Sequence, residues 1–304
     1  MDKMNRVTVI GSINLDRTIR VKQMARPGET IRASEVFSAG GGKGANQAVA
    51  AKRSGADTAF IGAVGDDDAG KTMAELLAYE KIDLSGVATL AKTATGQAYI
   101  VVDEAGENSI MIHAGANQKI TPTQVLTQAD LIKRSDFIIA QFESELNSTI
   151  QAFTLAHENG VKTILNPAPA MQDVPAELLK NTDVIIPNET ETEILTGIKI
   201  TDEASMQQAA AKLHALGIAV VIITIGSKGA FYSYNGNSGI VPALKVKAVD
   251  TTAAGDTFIG ALSTSLKPDF SNLVAAIEYG NKASSLTVQR FGAQPSIPYR
   301  HELG

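Results

Sequence analysis

The chain has no cysteine among its 304 residues. That removes a disulfide framework, a thiolate metal site and a cysteine nucleophile. Long apolar runs are missing too: the longest, such as 219–225, are too short to cross a bilayer. The opening MDKMNRVTVIGS lacks the apolar stretch of a secretory leader. No block of like charge, low-complexity tract or evident repeat interrupts the sequence. Positive charge is not in excess either. With 27 Lys+Arg against 32 Asp+Glu, the formal net charge of −5 argues against a nucleic-acid partner. What is present, 44% hydrophobic and 19% charged residues, is the composition of a globular protein with a sizeable core. The expectation is a cytoplasmic protein with no membrane partner, folded as one large α/β domain or two ordinary ones.

Two nucleotide-loop signatures are also lacking. The run Gly40-Gly41-Gly42-Lys43-Gly44-Ala45-Asn46 invites a phosphate-loop reading, but Lys43 is followed by Gly44 where a Walker A loop needs Ser or Thr. No G-x-G-x-x-G follows the first strand, Val7 to Ile10, so a nicotinamide-binding reading loses its support. The glycines are better read as letting the backbone come close to a ligand.

The stretch that organises the chain is Asp250-Thr251-Thr252-Ala253-Ala254-Gly255-Asp256-Thr257-Phe258. It lies between an expected strand at 244–249 and an apolar helical run at 258–266. Small residues at a helix start leave first-turn N–H groups open to an anion, and Asp256 stands beside them. A carboxylate there can deprotonate a hydroxyl while the N–H groups hold a phosphoryl group in transfer. Taken alone, Gly-Asp is better read as a capped helix start, and it is the other motifs of the chain that favour the chemical reading.

From residue 136 onward, short apolar strands alternate with helices, the pattern of a parallel sheet covered on both faces. Ligands bind such sheets beyond the carboxyl ends of the strands. Glu143, Asn166, the run Asn188-Glu189-Thr190-Glu191, the run Gly226-Ser227-Lys228-Gly229 and Asp256 are all predicted at that rim. Asn14 and Asp16, two apart after the first strand, share a face if extended. Strand pairs at 17–38 (with a Pro27-Gly28 turn) and at 97–113 are expected to form a small separate sheet, and a late hairpin is expected around 235–237. Asp66, Asp67 and Asp68 resemble a metal cluster, but acids favour helix starts in any case. The lone His113 is read as structural.

Three segments, Gly41 to Gln47, Asn188 to Glu191 and Asp250 to Phe258, in this order and spacing, resemble the ribokinase (PfkB-type carbohydrate kinase) family over nearly the whole chain. The resemblance implies a three-layer α/β/α sandwich with a mainly parallel sheet, one kinase domain over 1–304, and a β-sheet lid built from about 14–40 and 95–115. It implies transfer of a phosphoryl group from ATP to the 5-hydroxyl of D-ribose, with Asp256 as general base; the alternatives are a sibling kinase of deoxyribose, a hexose or a nucleoside, or a non-catalytic sugar or nucleotide sensor on the same fold. Amides of Ala253, Ala254 and Gly255 would form the anion hole. Asn14, Asp16, Gly42, Lys43, Gly44, Ala45, Asn46 and Glu143 would hold the sugar. Nucleotide contacts would fall to Asn188, Glu191, Thr224, Ile225, Gly226, Ser227, Lys228, Gly229 and Gly255, with Asn281 where relatives often carry His. Glu191 would influence Mg²⁺. Asp250, Thr252, Thr287, Arg290, Gly292 and Ser296 would enclose a monovalent cation, K⁺ above others, and two lids would clasp in a homodimer.

Overall fold

A computed structural model describes residues 4–304. The chain runs β1 (Arg6–Ile10), β2 (Asn14–Val21), β3 (Ala33–Gly41), α1 (Lys43–Ser54), β4 (Asp57–Gly65), α2 (Asp68–Tyr79), β5 (Asp83–Leu90), β6 (Gly96–Val102) and β7 (Asn108–His113). Then follow α3 (Pro122–Thr127), α4 (Ala129–Lys133), β8 (Phe137–Ala140), α5 (Leu146–Glu158), β9 (Lys162–Leu165), α6 (Ala176–Lys180), β10 (Val184–Ile185) and α7 (Glu189–Thr196). The last elements are α8 (Glu203–Ala215), β11 (Val220–Thr224), β12 (Ala230–Tyr234), β13 (Asn237–Val241), α9 (Ala254–Ser265) and α10 (Leu273–Thr287).

Nine strands make one sheet in the order β13-β12-β11-β10-β9-β8-β1-β4-β5, parallel except for the β11-β12-β13 meander at one edge. Alternate residues of its central strands feed two separate cores, as a strand buried on both faces must. Phe137 and Ile139 of β8, with Val220 and Ile222 of β11, pack under α1, α2, α9 and α10. Ile138 and Ala140, with Val221 and Ile223, pack under α3, α4, α5, α6 and α8. The result is helix, sheet, helix in three layers. On the first face α1 and α9 lie unusually close: a Cβ added at Gly260 would stand 2.5 Å from that of Ala50.

A second, four-stranded sheet has the order β3-β2-β6-β7. The two expected strand pairs form it, joined by a parallel β2-β6 contact. Asp16 pairs with Ala98 and Ala98 with Ile112, while Thr18 pairs with Ile100 and Ile100 with Ile110. Directly paired residues share a face, so Ala98, Ile100, Ile110 and Ile112 stand on the side that carries Asp16. Val36 and Met111 on the opposite side are each 60% exposed, and Ile110 is 54% exposed. The small sheet is thus apolar on both faces and leaves much of that surface to solvent.

One expected strand is missing. Residues 244–249 alternate like a strand, yet they run without regular structure, and Leu244, Val246 and Val249 are exposed. Alternation makes a strand only where a neighbouring edge is free to pair, and this segment instead crosses back towards α9. It is tied at its end, where Val249 N–H and Asp250 N–H both donate to the Val288 carbonyl. The strand β5 at 83–90 was not anticipated. Of the three acids at 66–68, Asp67 caps α2 by accepting from Gly70 N–H and also binds the Thr95 amide and hydroxyl. Among the described residues no cluster of three acidic or histidine side chains is arranged to hold a metal ion.

Candidate active site

Helix α9 begins with strain in the backbone. Ala253, at its N-cap, has φ +59°, the left-handed region that a non-glycine residue adopts at a cost. That turn aims the following amides outward. Among the described residues, the N–H groups of Ala253, Gly255 and Asp256 have no hydrogen-bond partner, whereas that of Ala254 donates to the Thr251 carbonyl at 3.2 Å. Three open amides at the positive end of a twelve-residue helix suit an anion.

Asp256 sits in the same turn and is only 8% exposed. Its Oδ2 accepts from Asn46 Nδ2 at 3.0 Å and its Oδ1 from Gln47 Nε2 at 2.9 Å. Burial raises its pKa; Lys43 and the two amides act against that, and Glu143 adds to it. A carboxylate whose charged form is costly is a better proton acceptor than an exposed one. The buried Oδ1 of Asn46 has no partner.

The other wall comes from the ends of β1, β2 and β8. Gly42, with φ +88°, turns the chain from β3 into α1 where a side chain would meet Asn14 N and Ser12 O below 3.0 Å. Lys43 N–H (3.0 Å) and Ser12 hydroxyl (2.6 Å) both donate to Glu143 Oε2. Asn117 Nδ2 donates to Asn14 Oδ1 at 2.8 Å, which leaves the Asn14 amino group to face a ligand. Asp16 is pushed up to about 7 by burial, then by Glu143 and by Asp256. Burial works to lower the Lys43 ammonium, but Asp256, Glu143 and Glu191 outweigh it and leave its pKa raised.

A cleft of about 490 Å³ adjoins Asp256 and runs over the ends of β9, β10 and β11. Lys43, Asn188, Glu191, Thr224, Gly226, Gly229, Asn281 and residues 253–256 line it. Asn188 and Glu191 cap α7 reciprocally, and burial raises the Glu191 carboxyl in spite of these bonds and of Lys43. Ile225 is buried beneath the wall, and Ser227 and Lys228 are exposed on a short 3₁₀ turn without lining the cleft. Asn281 faces the cleft while its amino group holds the carbonyls of Val241 and Pro242 at 3.1 and 3.2 Å.

The comparisons with known proteins bear on this arrangement. The model of the pfkB family of carbohydrate kinases matches residues 4–300. The chain belongs to that family. It is 46% identical to a ribokinase of Staphylococcus aureus (strain COL), over 98% of each chain, and 46% identical to one of Haemophilus influenzae, over 97% of this chain and 96% of that one. The solved structure of Arabidopsis thaliana ribokinase complexed with ribose and ATP superposes with a TM-score of 0.90 at 31% identity, covering 99% of this chain and 98% of that one.

In this pfkB-family chain the residues assigned to a monovalent cation lie around one pair of loops. Asp250 Oδ1 accepts from the Thr252 amide and hydroxyl, and its Oδ2 from Gly292 N–H at 2.9 Å. Burial acts against the charge, but these donors win and lower its pKa. Three side chains of the set point elsewhere. Arg290 pairs with Glu302, Thr287 Oγ1 bonds to Thr257 Oγ1, and Ser296 Oγ donates to Ala293 O. Any cation there would therefore meet main-chain oxygens and Asp250.

Sequence reasoning assigned no role to Gln47, Gln141 or Asn117, although all three are buried. A signal existed for the first. Positions 43, 46 and 47 fall on one face of α1 ahead of an alanine-rich stretch, so a glutamine there is a polar group facing the interior.

Proposed function

We propose that this protein acts as a ribokinase, transferring the γ-phosphoryl group of ATP to the 5-hydroxyl of D-ribose to give D-ribose 5-phosphate and ADP. The observation that carries it is the position of Asp256, between a turn of open amides and a pocket of polar side chains. Asp256 takes the hydroxyl proton as that oxygen attacks the γ-phosphorus. The bond from phosphorus to the β–γ bridging oxygen breaks, and its electrons leave with ADP. The Ala253 and Gly255 amides, with that of Asp256, face the migrating group, and Lys43 adds a positive charge. Little covalent work falls to the protein, and positioning and charge supply the rate.

Asn14, Asp16, Asn46 and Glu143 answer the ring hydroxyls, which call for polar partners rather than an apolar slot. Ala98 and Ile100 cover the sugar's carbon face, so the small sheet serves as a lid over a single kinase domain. Thr224, Gly226, Gly229, Asn188 and Asn281 wall the nucleotide. Glu191, which lines the cleft, is the carboxylate that would help to hold a Mg²⁺ ion arriving with the nucleotide, and such an ion would supply positive charge to the phosphates. A coupled ADP-release assay over pentoses, hexoses and nucleosides tests the assignment. D-Ribose is expected to give the highest kcat/KM, and no ADP release with ribose would overturn it.

Asp250, ionised and flanked by loops rich in main-chain oxygens, suits a large monovalent cation. Turnover is expected to rise several-fold with K⁺ and little with Na⁺ at equal ionic strength; a flat response across alkali cations would remove this site. The uncovered apolar faces of the lid suit a second copy of the lid, giving a homodimer. The double variant Val36→Asp/Ile110→Asp places one charge on each face. It is expected to halve the mass measured by light scattering, and an unchanged mass would place the contact elsewhere.

A further inference from the structure

Three buried amides behind the carboxylate of Asp256 have no part in the chemistry above. Gln47 comes from α1, Gln141 follows β8 and Asn166 follows β9; the first two are fully buried and the third is 7% exposed. They form a chain whose direction is set at its Asn166 end, while at the other end Gln141 Oε1 is buried without a partner. Asn166 Nδ2 donates to the Ile186 carbonyl at 3.1 Å, so its Oδ1 must face Gln47. Gln47 Nε2 donates to that Oδ1 at 3.1 Å and, with its other hydrogen, to Asp256 Oδ1 at 2.9 Å. Gln47 Oε1 accepts from Gln141 Nε2 at 2.6 Å. A flipped Gln47 would lose all three bonds and set an oxygen against a carboxylate.

Asn46 is the other donor to Asp256, but it has no such anchoring, since its Oδ1 is unpartnered. Each oxygen of a carboxylate has about two acceptor sites. One on each is taken by Asn46 and Gln47, and one on each remains for an incoming hydroxyl. The amide held from three sides is the one that decides how the carboxylate plane lies.

We propose that Gln47, its amide oriented by Asn166 and Gln141, is the positioning residue of Asp256: it fixes the plane of that carboxylate and favours its charged form. The inference rests on Asp256 being the general base. Other charges facing Asp256 are Lys43 on α1, which favours ionisation, and Glu143 after β8, Asp16 on β2 and Glu191 on α7, which oppose it. None of them is altered by a change at position 47, so a shift in the base's titration reports the amide.

The test is the pH dependence of kcat, at saturating ribose and ATP, in Gln47→Met and Gln47→Glu. Methionine keeps the length and removes the donor; glutamate sets a second acid against Asp256. In Gln47→Met the acid limb is expected to move up by about one pH unit, with kcat down about 10-fold at pH values below both limbs and the loss shrinking as the pH rises towards the plateau. The limb of Gln47→Glu is expected to move further in the same direction. KM for ribose should stay within about threefold, because no sugar contact is lost. Gln141→Leu, one bond further from the base, should shift the limb the same way by less, and serves if the position 47 variants fold poorly. Acid limbs unmoved in all of these variants would overturn the proposal, as would a pH-independent loss accompanied by a rise in ribose KM. The reading beneath it fails separately: Asp256→Asn with near-normal turnover removes the base itself, whereas an inactive Asp256→Asn with unmoved limbs at position 47 removes only the positioning role.

Discussion

In Asp256→Asn, kcat is expected to fall by about 10²–10⁴-fold, the range for losing a positioned proton acceptor, while ribose and ATP still bind. The substitution keeps the size of the side chain and removes only its ability to take a proton. It costs little in stability, because burial makes the native carboxylate expensive to keep charged. One of its two amide neighbours, Asn46 or Gln47, would lose its acceptor, so the melting temperature should change by a few degrees at most. Steady-state kinetics with calorimetric titration of both ligands checks this. Turnover within tenfold of the native enzyme would refute the proton-acceptor role.

Asp16→Ala is expected to lower kcat/KM for ribose by about 10³-fold or more, since a site built to bond hydroxyls discriminates strongly when one partner is missing. KM for ATP should be unaffected, because Asp16 does not line the nucleotide cleft. The native residue also links binding to pH. In the free protein its carboxyl is raised to about 7 by burial, then Glu143, then Asp256. Ribose hydroxyls donate to the ionised form and so pull that pKa down. Binding therefore releases protons near pH 7, and affinity rises with pH up to about 7 before levelling off. Calorimetry in buffers of different ionisation enthalpy reads the release directly, and Asp16→Ala should abolish it. Gly41→Ala offers a steric counterpart, because its Cβ would lie 2.1 Å from Asp16 Oδ2. It should reduce ribose affinity while leaving the carboxylate chemically intact.

Much of this site is legible in the sequence because parallel strands end on one rim, and polar residues after apolar runs therefore converge. Glu143, Asn166 and Asn188 are each found just beyond a strand for that reason. The small sheet is legible from alternation at 17–38 and 97–113, although its parallel β2-β6 seam is not, since pairing between distant strands leaves no local mark. Segment 244–249 shows the converse, a strand pattern with no edge to join. The Gln47 chain was hidden for another reason: a side-chain amide gains its meaning from residues 94 and 119 positions away. The ion pair that turns Arg290 towards Glu302 is likewise a three-dimensional fact.

The tight seam between Gly260 and Ala50 joins the helix that carries Lys43, Asn46 and Gln47 to the helix that carries Asp256. The proposed reacting centre is thereby mounted on a single stiff chassis, while the strands assigned to the lid belong to a different sheet. Substrate preference could then drift through residues such as Ala98 or Ile100 without disturbing the machinery proposed to move the phosphorus. A methyl group at position 260 would do the opposite, prising the chassis apart and dulling every substrate alike.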